Sequence, residues 1–247
     1  NSDTIILGHA GMGISDIYPW NSYESVSKAM YLPSDGVEID VQLSLDSVWF
    51  AFHGSDLSKE TDGNGVIPAV HSGIIGKSVY GLPIYSNYYV AKMDDILGDL
   101  ASFTDKEFVF DVKMVGNYQS EKDLKYLANQ LLKLINRHNL QNQVIIEFVS
   151  LPLAEMFQEI APSIRIFAAT GSIQSALAWQ ETVSIYGIVM DVRDLSRSEV
   201  EIVQDAGLKI SAYNAMSKEA NEKALDLEVD YLLTDQLDYA LSITERN

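Results

Sequence analysis

Apolar runs of strand length alternate with amphipathic stretches from one end of this chain to the other, and that alternation constrains its fold most tightly. Strand patterns are read at 4–10 (TIILGHA), 36–41 (GVEIDV), 47–53 (SVWFAFH), 107–113 (EFVFDVK), 143–149 (QVIIEFV), 165–170 (RIFAAT), 186–192 (YGIVMDV) and 209–214 (KISAYN). Helical periodicity falls between most of them, over 21–32, 121–139, 153–161, 173–183, 197–206 and 218–227. Strands joined through helices pair in parallel, and eight of them predict an α/β fold closed into a TIM (β/α)8 barrel. No low-complexity linker or exact repeat interrupts the pattern, so residues 1–247 are expected to form a single domain.

Two places break the rhythm. Residues 42–46 (QLSLD) are too few for a crossover helix, so the chain is expected to return there by an irregular extended segment. Residues 54–91 carry Gly, Pro, Ser and Asn throughout and predict a long loop over one mouth of the barrel. A loop of that length in a compact domain is usually functional.

The polar residues inside the strand patterns carry the chemistry. Glu38 and Asp40 are two apart, so both project from one face of their strand, and Asp111 and Lys113 repeat the spacing. His9 ends the first strand pattern and His53 the third. All six are expected at the ends of strands one to four, on the face where barrel enzymes keep their active sites. Carboxylates on an apolar interior face are costly without a cation. Three of them, in a chain without cysteine, make an oxygen-rich site of the kind Mg²⁺ or Ca²⁺ prefers. The two imidazoles are then free to act as acid and base, and Lys113 to neutralise an anionic group beside the metal. Cation, lysine and a histidine pair together describe a phosphodiester site.

Other residues are candidates for additional contacts. Glu147, Asp191 and Asn214 also end strand patterns, and each suits a substrate hydroxyl, a supporting role or a merely polar mouth, with Glu147 the foremost. Trp20 with Tyr80, Tyr85, Tyr88 and Tyr89 could wall off a choline-like or acyl group, although packing of the long loop explains the tyrosines equally well. His71 in the loop and His138 at a helix end need no role beyond solvation or the helix dipole.

Charge narrows the partners. With 35 acidic against 17 basic residues the formal net charge is −18, which disfavours nucleic acid and anionic lipid surfaces and favours small neutral or zwitterionic substrates or bound cations. The absence of cysteine excludes disulfides and thiolate metal sites. No apolar run approaches the roughly 20 residues needed to span a bilayer. A first residue of Asn1 rather than Met is consistent with removal of a leader and with an extracytoplasmic, periplasmic or secreted, location.

Over nearly its full length the chain resembles the glycerophosphodiester phosphodiesterase family. The likeness lies in GVEIDVQLSLDSVWFAFHGSDLSKETDGNG (36–65), AKMDDIL (91–97), FVFDVK (108–113) and VDYLLTD (229–235). The resemblance implies a barrel phosphodiesterase in which His9 and His53 are general acid and base. It implies that Glu38, Asp40 and Asp111 hold one divalent cation, Ca²⁺ or Mg²⁺, and that Lys113 contacts the phosphate. It further implies glycerol 3-phosphate and an alcohol as products, with attack of the glycerol 2-hydroxyl through a cyclic phosphate as a route proposed for the family.

The departures are specific. Ala10 stands where the family's His-Arg-Gly motif has arginine, and Trp20 where its Pro-Glu-Asn-Thr motif has glutamate, with Asn21 and Ser22 remaining similar. Gly54 follows the third-strand histidine in place of aspartate, SAYN (211–214) replaces Trp-Thr-Val-Asn, and Glu147 precedes Phe148 where Ser-Phe is common. Gly54, the Asp-Val-Lys spacing and the missing arginine also resemble the sphingomyelinase D branch of phospholipases, which forms a cyclic phosphate. The stretches SKETDGNG (58–65) and LLTD (232–235) favour the diesterase side. A reading from another class is a catalytically silent barrel that binds a metal or a polyol.

Overall fold

The computed structural model describes residues 3–14, 17–85, 87–116, 118 and 120–246. In chain order it runs β1 (Ile5–Gly8), α1 (Tyr23–Tyr31), β2 (Gly36–Leu43), β3 (Trp49–Ala51), α2 (Ser72–Ile75), β4 (Ala91–Lys92), α3 (Met93–Leu100) and β5 (Glu107–Val112). It continues α4 (Glu121–Arg137), β6 (Val144–Phe148), α5 (Leu151–Ile160), β7 (Arg165–Ala168), α6 (Ile173–Ala178), β8 (Gly187–Asp191), α7 (Arg197–Asp205), β9 (Lys209–Ala215), α8 (Lys218–Asp226), β10 (Tyr231–Thr234) and α9 (Leu237–Ile243).

Eight parallel strands close the expected barrel in the order β1, β2, β5, β6, β7, β8, β9, β10 and back to β1. The eight are not the eight read from the sequence. The segment around 47–53 turns back on β2 as the antiparallel strand β3, with β4 antiparallel to it in turn. Five residues between β2 and β3 suit a hairpin and no crossover, which is why the short link at 42–46 mattered. The eighth barrel strand is instead β10, whose YLLT core is too short to show a period of its own. Helices α3 and α9 likewise add to those expected from periodicity.

Helix starts are legible residue by residue. Ser22, Ser120, Ser150, Ser172 and Ser217 each accept a hydrogen bond from a backbone N–H of the first turn they precede, and Ser196 forms a capping box with Glu199. Side chains alternate across each strand. Val109 and Ile145 point inward with Leu7, Phe167, Val189, Tyr231 and Leu233 to fill the barrel. Phe108, Phe110 and Ile146 point outward among Leu127, Leu131 and the other helix residues of the larger core. Burying each large apolar side chain stabilises by about 1.5–3 kcal/mol, so the ring of helices is held by its apolar stripes.

The closing seam is built closely. Gly36 pairs with both Leu7 and Glu107, and a Cβ there would lie 1.9 Å from the Glu107 carbonyl oxygen. The described residues of 54–91 fold over the mouth as short turns and α2, and Leu57, Ile75 and Tyr80 pack with Phe50 and Phe52 in an apolar cluster apart from the main core. No helix among the described residues is long and apolar enough to cross a membrane.

Candidate active site

The inward face of β2 is polar along its whole upper half. Glu38, Asp40 and Gln42 follow one another at the strand's period of two, and all three are buried. Parallel register then places Asp111 of β5 beside Asp40, and Glu147 of β6 beside Asp111. Carboxylate oxygens of Glu38, Asp40 and Asp111 lie within 4.8 Å of one another. Lys113, one residue past β5, reaches back to Asp40 at 2.8 Å and also to Asp111.

His9 follows β1, and its Nδ1 is 2.9 Å from Asp235 Oδ1, just beyond β10. Its Nε2 faces Glu38 at 3.9 Å. The turn after β1 is anchored by the Ala10 N–H, which donates to Glu38 Oε2 at 2.9 Å, and Ala10 itself is fully buried. Asn21 clamps Asp40 from both sides: its amide donates to Oδ2 at 2.6 Å, and its own oxygen accepts from the Asp40 N–H at 3.0 Å. His53 follows β3 and is exposed to the cleft. Gln42 holds its turn by donating to the carbonyls of Phe52 and Gly54 at 2.8 and 2.9 Å.

Two of the departures, Trp20 and Gly54, meet beside His53 around the Glu60 carboxylate. The Trp20 ring lies on the His53 imidazole with centroids 4.4 Å apart, and its Nε1 donates to Glu60 Oε2 at 2.7 Å. A Cβ on residue 54 would meet Glu60 Oε1 at 2.7 Å and the Phe52 ring at 2.9 Å, so Gly54 makes room for that carboxylate.

His9, Glu38, Asp40, His53, Asp111 and Lys113 all line a single cleft of about 440 Å³, with Trp20, Glu147 and Asn214. They lie at the C-terminal mouth, on the first three parallel strands and the turn after β3, rather than on strands one to four. Asp191 is elsewhere engaged, bound by Arg193 and accepting from Asn214 Nδ2 at 2.7 Å. Tyr80, Tyr85 and Tyr88 pack in the loop cluster and Tyr89 is exposed; none of the four lines the cleft. His71 is exposed beside Asp46, and His138 is bound to Asp94.

Of the supporting residues not singled out in the sequence, two left a signal there. Gln42 extends the row of Glu38 and Asp40 by one period, and that row was its available signal. Asp235 ends the VDYLLTD stretch, which reads as a strand closing in a carboxylate once β10 is recognised.

Electrostatics separates the two imidazoles. Burial pulls the His9 imidazolium down, but the hydrogen bond to Asp235 and the charges of Glu38, Asp235 and Asp40 outweigh it and lift its pKa to about 9. Burial lowers that of His53, and the Asp40 charge only partly offsets this. At neutral pH His9 is therefore the charged ring and His53 the neutral one.

The carboxylates show a shortage of positive charge. Burial, and then Asp40, push Glu38 up to about 8, while burial raises Asp111 above the usual carboxylate range against the opposing charge of Lys113. Burial works against Asp40 too, but Lys113 and His53 prevail and hold it low. Asp111 Oδ1 is buried with no hydrogen-bond partner among the described residues. An oxygen-only donor set with an orphaned carboxylate oxygen suits a hard divalent cation, and the residues present fit one.

A parallel eight-stranded barrel whose C-terminal mouth gathers an acidic triad, a lysine and two differently charged imidazoles defines a TIM-barrel enzyme able to handle an anionic ester. The sequence profile described as "Glycerophosphoryl diester phosphodiesterase family" matches residues 12–239. The glycerophosphodiester phosphodiesterase of Caldanaerobacter subterraneus subsp. tengcongensis is 21% identical over 247 residues, covering 98% of each chain. That of Bacillus subtilis is 22% identical over 249 residues, covering 94% of this chain and 84% of the relative. A phosphodiesterase of Oleispira antarctica, solved with the product sn-glycerol-3-phosphate, superposes with a TM-score of 0.84 at 19% identity, covering 97% of this chain and 96% of that one. The chain belongs to the glycerophosphoryl diester phosphodiesterase family, and it is a phosphoric diester hydrolase.

Proposed function

We propose that this protein hydrolyses glycerophosphodiesters to glycerol 3-phosphate and an alcohol by two-histidine acid–base catalysis beside a divalent cation. The observation that carries the mechanism is that two imidazoles in unlike surroundings, His9 bonded to Asp235 and His53 stacked on Trp20, share one cleft with Lys113. Family membership and the product held by the Oleispira antarctica protein support the substrate class.

Each residue has a role in this reading. Lys113, kept protonated by Asp40 and Asp111, holds a non-bridging phosphate oxygen. His53 takes a proton from the attacking water, whose oxygen stays on the phosphorus of glycerol 3-phosphate, and His9 gives its proton to the alkoxide of the departing alcohol as the P–O bond breaks. Asp235 orients the His9 ring and Trp20 that of His53. Glu38, Asp40 and Asp111 would hold Ca²⁺ or Mg²⁺, which when bound supplies Lewis-acid stabilisation of charge on the phosphate.

The arginine absent at position 10 favours keeping cyclisation as a second reading, because the phosphate has one fewer fixed cation to direct an outside water. Phosphorus NMR of the protein with Ca²⁺ or Mg²⁺ and a diester panel separates the two. A glycerol 3-phosphate signal is expected, and a persistent cyclic phosphate would favour the second reading. Either His9→Ala or His53→Ala is expected to slow turnover by at least ~10². Full activity in both variants would remove the two-histidine mechanism, and an unchanged panel would remove the substrate class.

A further inference from the structure

The long loop grips Trp20 at two points. The Tyr80 hydroxyl donates to the Trp20 carbonyl at 3.2 Å, and the indole Nε1–H donates to Glu60 Oε2 at 2.7 Å. Glu60 is itself set by the backbone: its N–H donates to the Leu57 carbonyl at 3.2 Å, and its carbonyl accepts from the Gly81 N–H at 2.8 Å. The carboxylate that holds the indole therefore stands on a braced turn.

His53 depends on such outside support. His9 is turned by its bond to Asp235, but the His53 side chain makes no hydrogen bond among the described residues. Its contact is the face of Trp20, with centroids 4.4 Å apart and planes inclined by 32°. Stacking limits the tilt of a ring but lets the two faces slide, so whatever stops the indole from sliding sets where the imidazole nitrogens point.

Glu60 also meets the backbone next to His53. A Cβ on residue 54 would lie 2.7 Å from Oε1, so the bare glycine leaves that oxygen its place beside the turn. Positions 20 and 54 are both places where the family motifs carry an acid and this chain does not, and a single carboxylate from the loop now reaches both. Burial pushes Glu60 above the ordinary glutamate range, and hydrogen bonds from the indole and from the Gly54 N–H oppose that push. Glu60 does not line the cleft, so it works on these neighbours and not on substrate.

We propose that Glu60 is a positioning residue for the reaction: by anchoring the Trp20 indole it fixes the His53 ring at the angle from which it accepts a proton. The inference rests on the reading above in which His53 is the general base.

A double-mutant cycle on kcat tests it, with glycerophosphocholine as a water-soluble diester. Phenylalanine keeps a ring over His53 but has no N–H to donate, so Trp20→Phe removes the bond to Glu60. Trp20→Phe and Glu60→Ala are each expected to lower kcat by about fivefold or more with KM within about twofold, and the double variant to fall no further than either alone. Glu60→Gln, whose amide oxygen still accepts from the indole, should stay within about twofold of the wild type. Multiplying losses in the double variant would mean that Glu60 acts by another route, and a raised KM with kcat intact would make it a binding contact; either result overturns the proposal. So does an undiminished kcat in Trp20→Phe, a readout that holds even where Glu60→Ala fails to fold. Full activity in His53→Ala, or no cleavage by the wild-type protein, would instead remove the reading beneath the inference and the inference with it.

Discussion

Trp20 shows how one residue can change a site without joining its chemistry. Glutamate at this place in the motif would offer charge, whereas the indole offers a flat face to His53 and a donor to Glu60. His9 is held by a carboxylate; the His53 ring is held by stacking, in surroundings that keep it neutral. The rate should therefore depend on pH as a bell. It falls on acidification, as His53 becomes protonated below its ordinary range, and on alkalinisation, as His9, raised by its bond to Asp235, loses its proton above its ordinary range. Trp20→Ala admits water to His53 and is expected to move the acid limb upward toward the ordinary histidine pKa of ~6.5, with kcat reduced by about tenfold. Trp20→Phe should keep the limb where it is. A pH–rate profile of the three proteins checks this, and an unmoved limb in Trp20→Ala would exclude a positioning role. The sequence disclosed Trp20 as a departure and Glu38 with Asp40 as a pair, because both are local patterns. It could not disclose Glu60, since only the folded loop brings a carboxylate 40 positions away onto the indole.

At the scale of elements, the hairpin of β2 and β3 does work a barrel strand could not. Turning back antiparallel carries His53 to the same mouth from which β2 delivers Asp40. Gln42 ties the arms together through the carbonyls on either side of His53. Gln42→Leu keeps the volume but leaves both carbonyls unpaired, at about 1–3 kcal/mol for each buried group. Thermal melts are expected to show that loss, and kinetics a fall in kcat of about tenfold or more with the metal-induced stabilisation intact. A stable, fully active variant would show that the turn holds itself. The alternation of strands and helices gave the barrel from sequence, yet the membership was partly misread. SVWFAFH has the composition of a barrel strand and is set antiparallel by the length of its connection. YLLT is held in the seam on one side by β9 and on the other by β1, more than 200 residues away, a pairing no local pattern reports.

For the whole molecule, the acidic triad spans two neighbouring strands, β2 and β5, at the point where the chain leaves the seam for the rest of the barrel. A cation bound there opposes the mutual repulsion of the triad and stabilises the folded state over the unfolded one. At about 100 times the dissociation constant it should add about 2.7 kcal/mol, or roughly 5–10 °C in Tm for a chain of this size. Differential scanning fluorimetry after chelation, with Ca²⁺ and Mg²⁺ added back separately, measures the effect. The same titration on Asp111→Asn separates binding at the triad from weak association with the acidic surface. A thermal shift unchanged in that variant would place the ion elsewhere.

The bond between His9 and Asp235 joins residues 226 positions apart, across the first and last strands of the ring. The whole acidic triad is present once β5 has formed, but His9, the acid of the proposed mechanism, gains its Asp235 partner only when β10 is in place. In that mechanism a barrel still lacking β10 would have the triad but not the carboxylate that orients its acid. Turnover is in effect a certificate of completeness, issued by the closing strand, and the rate at which activity returns after dilution from denaturant should time that last step and not the collapse of the core.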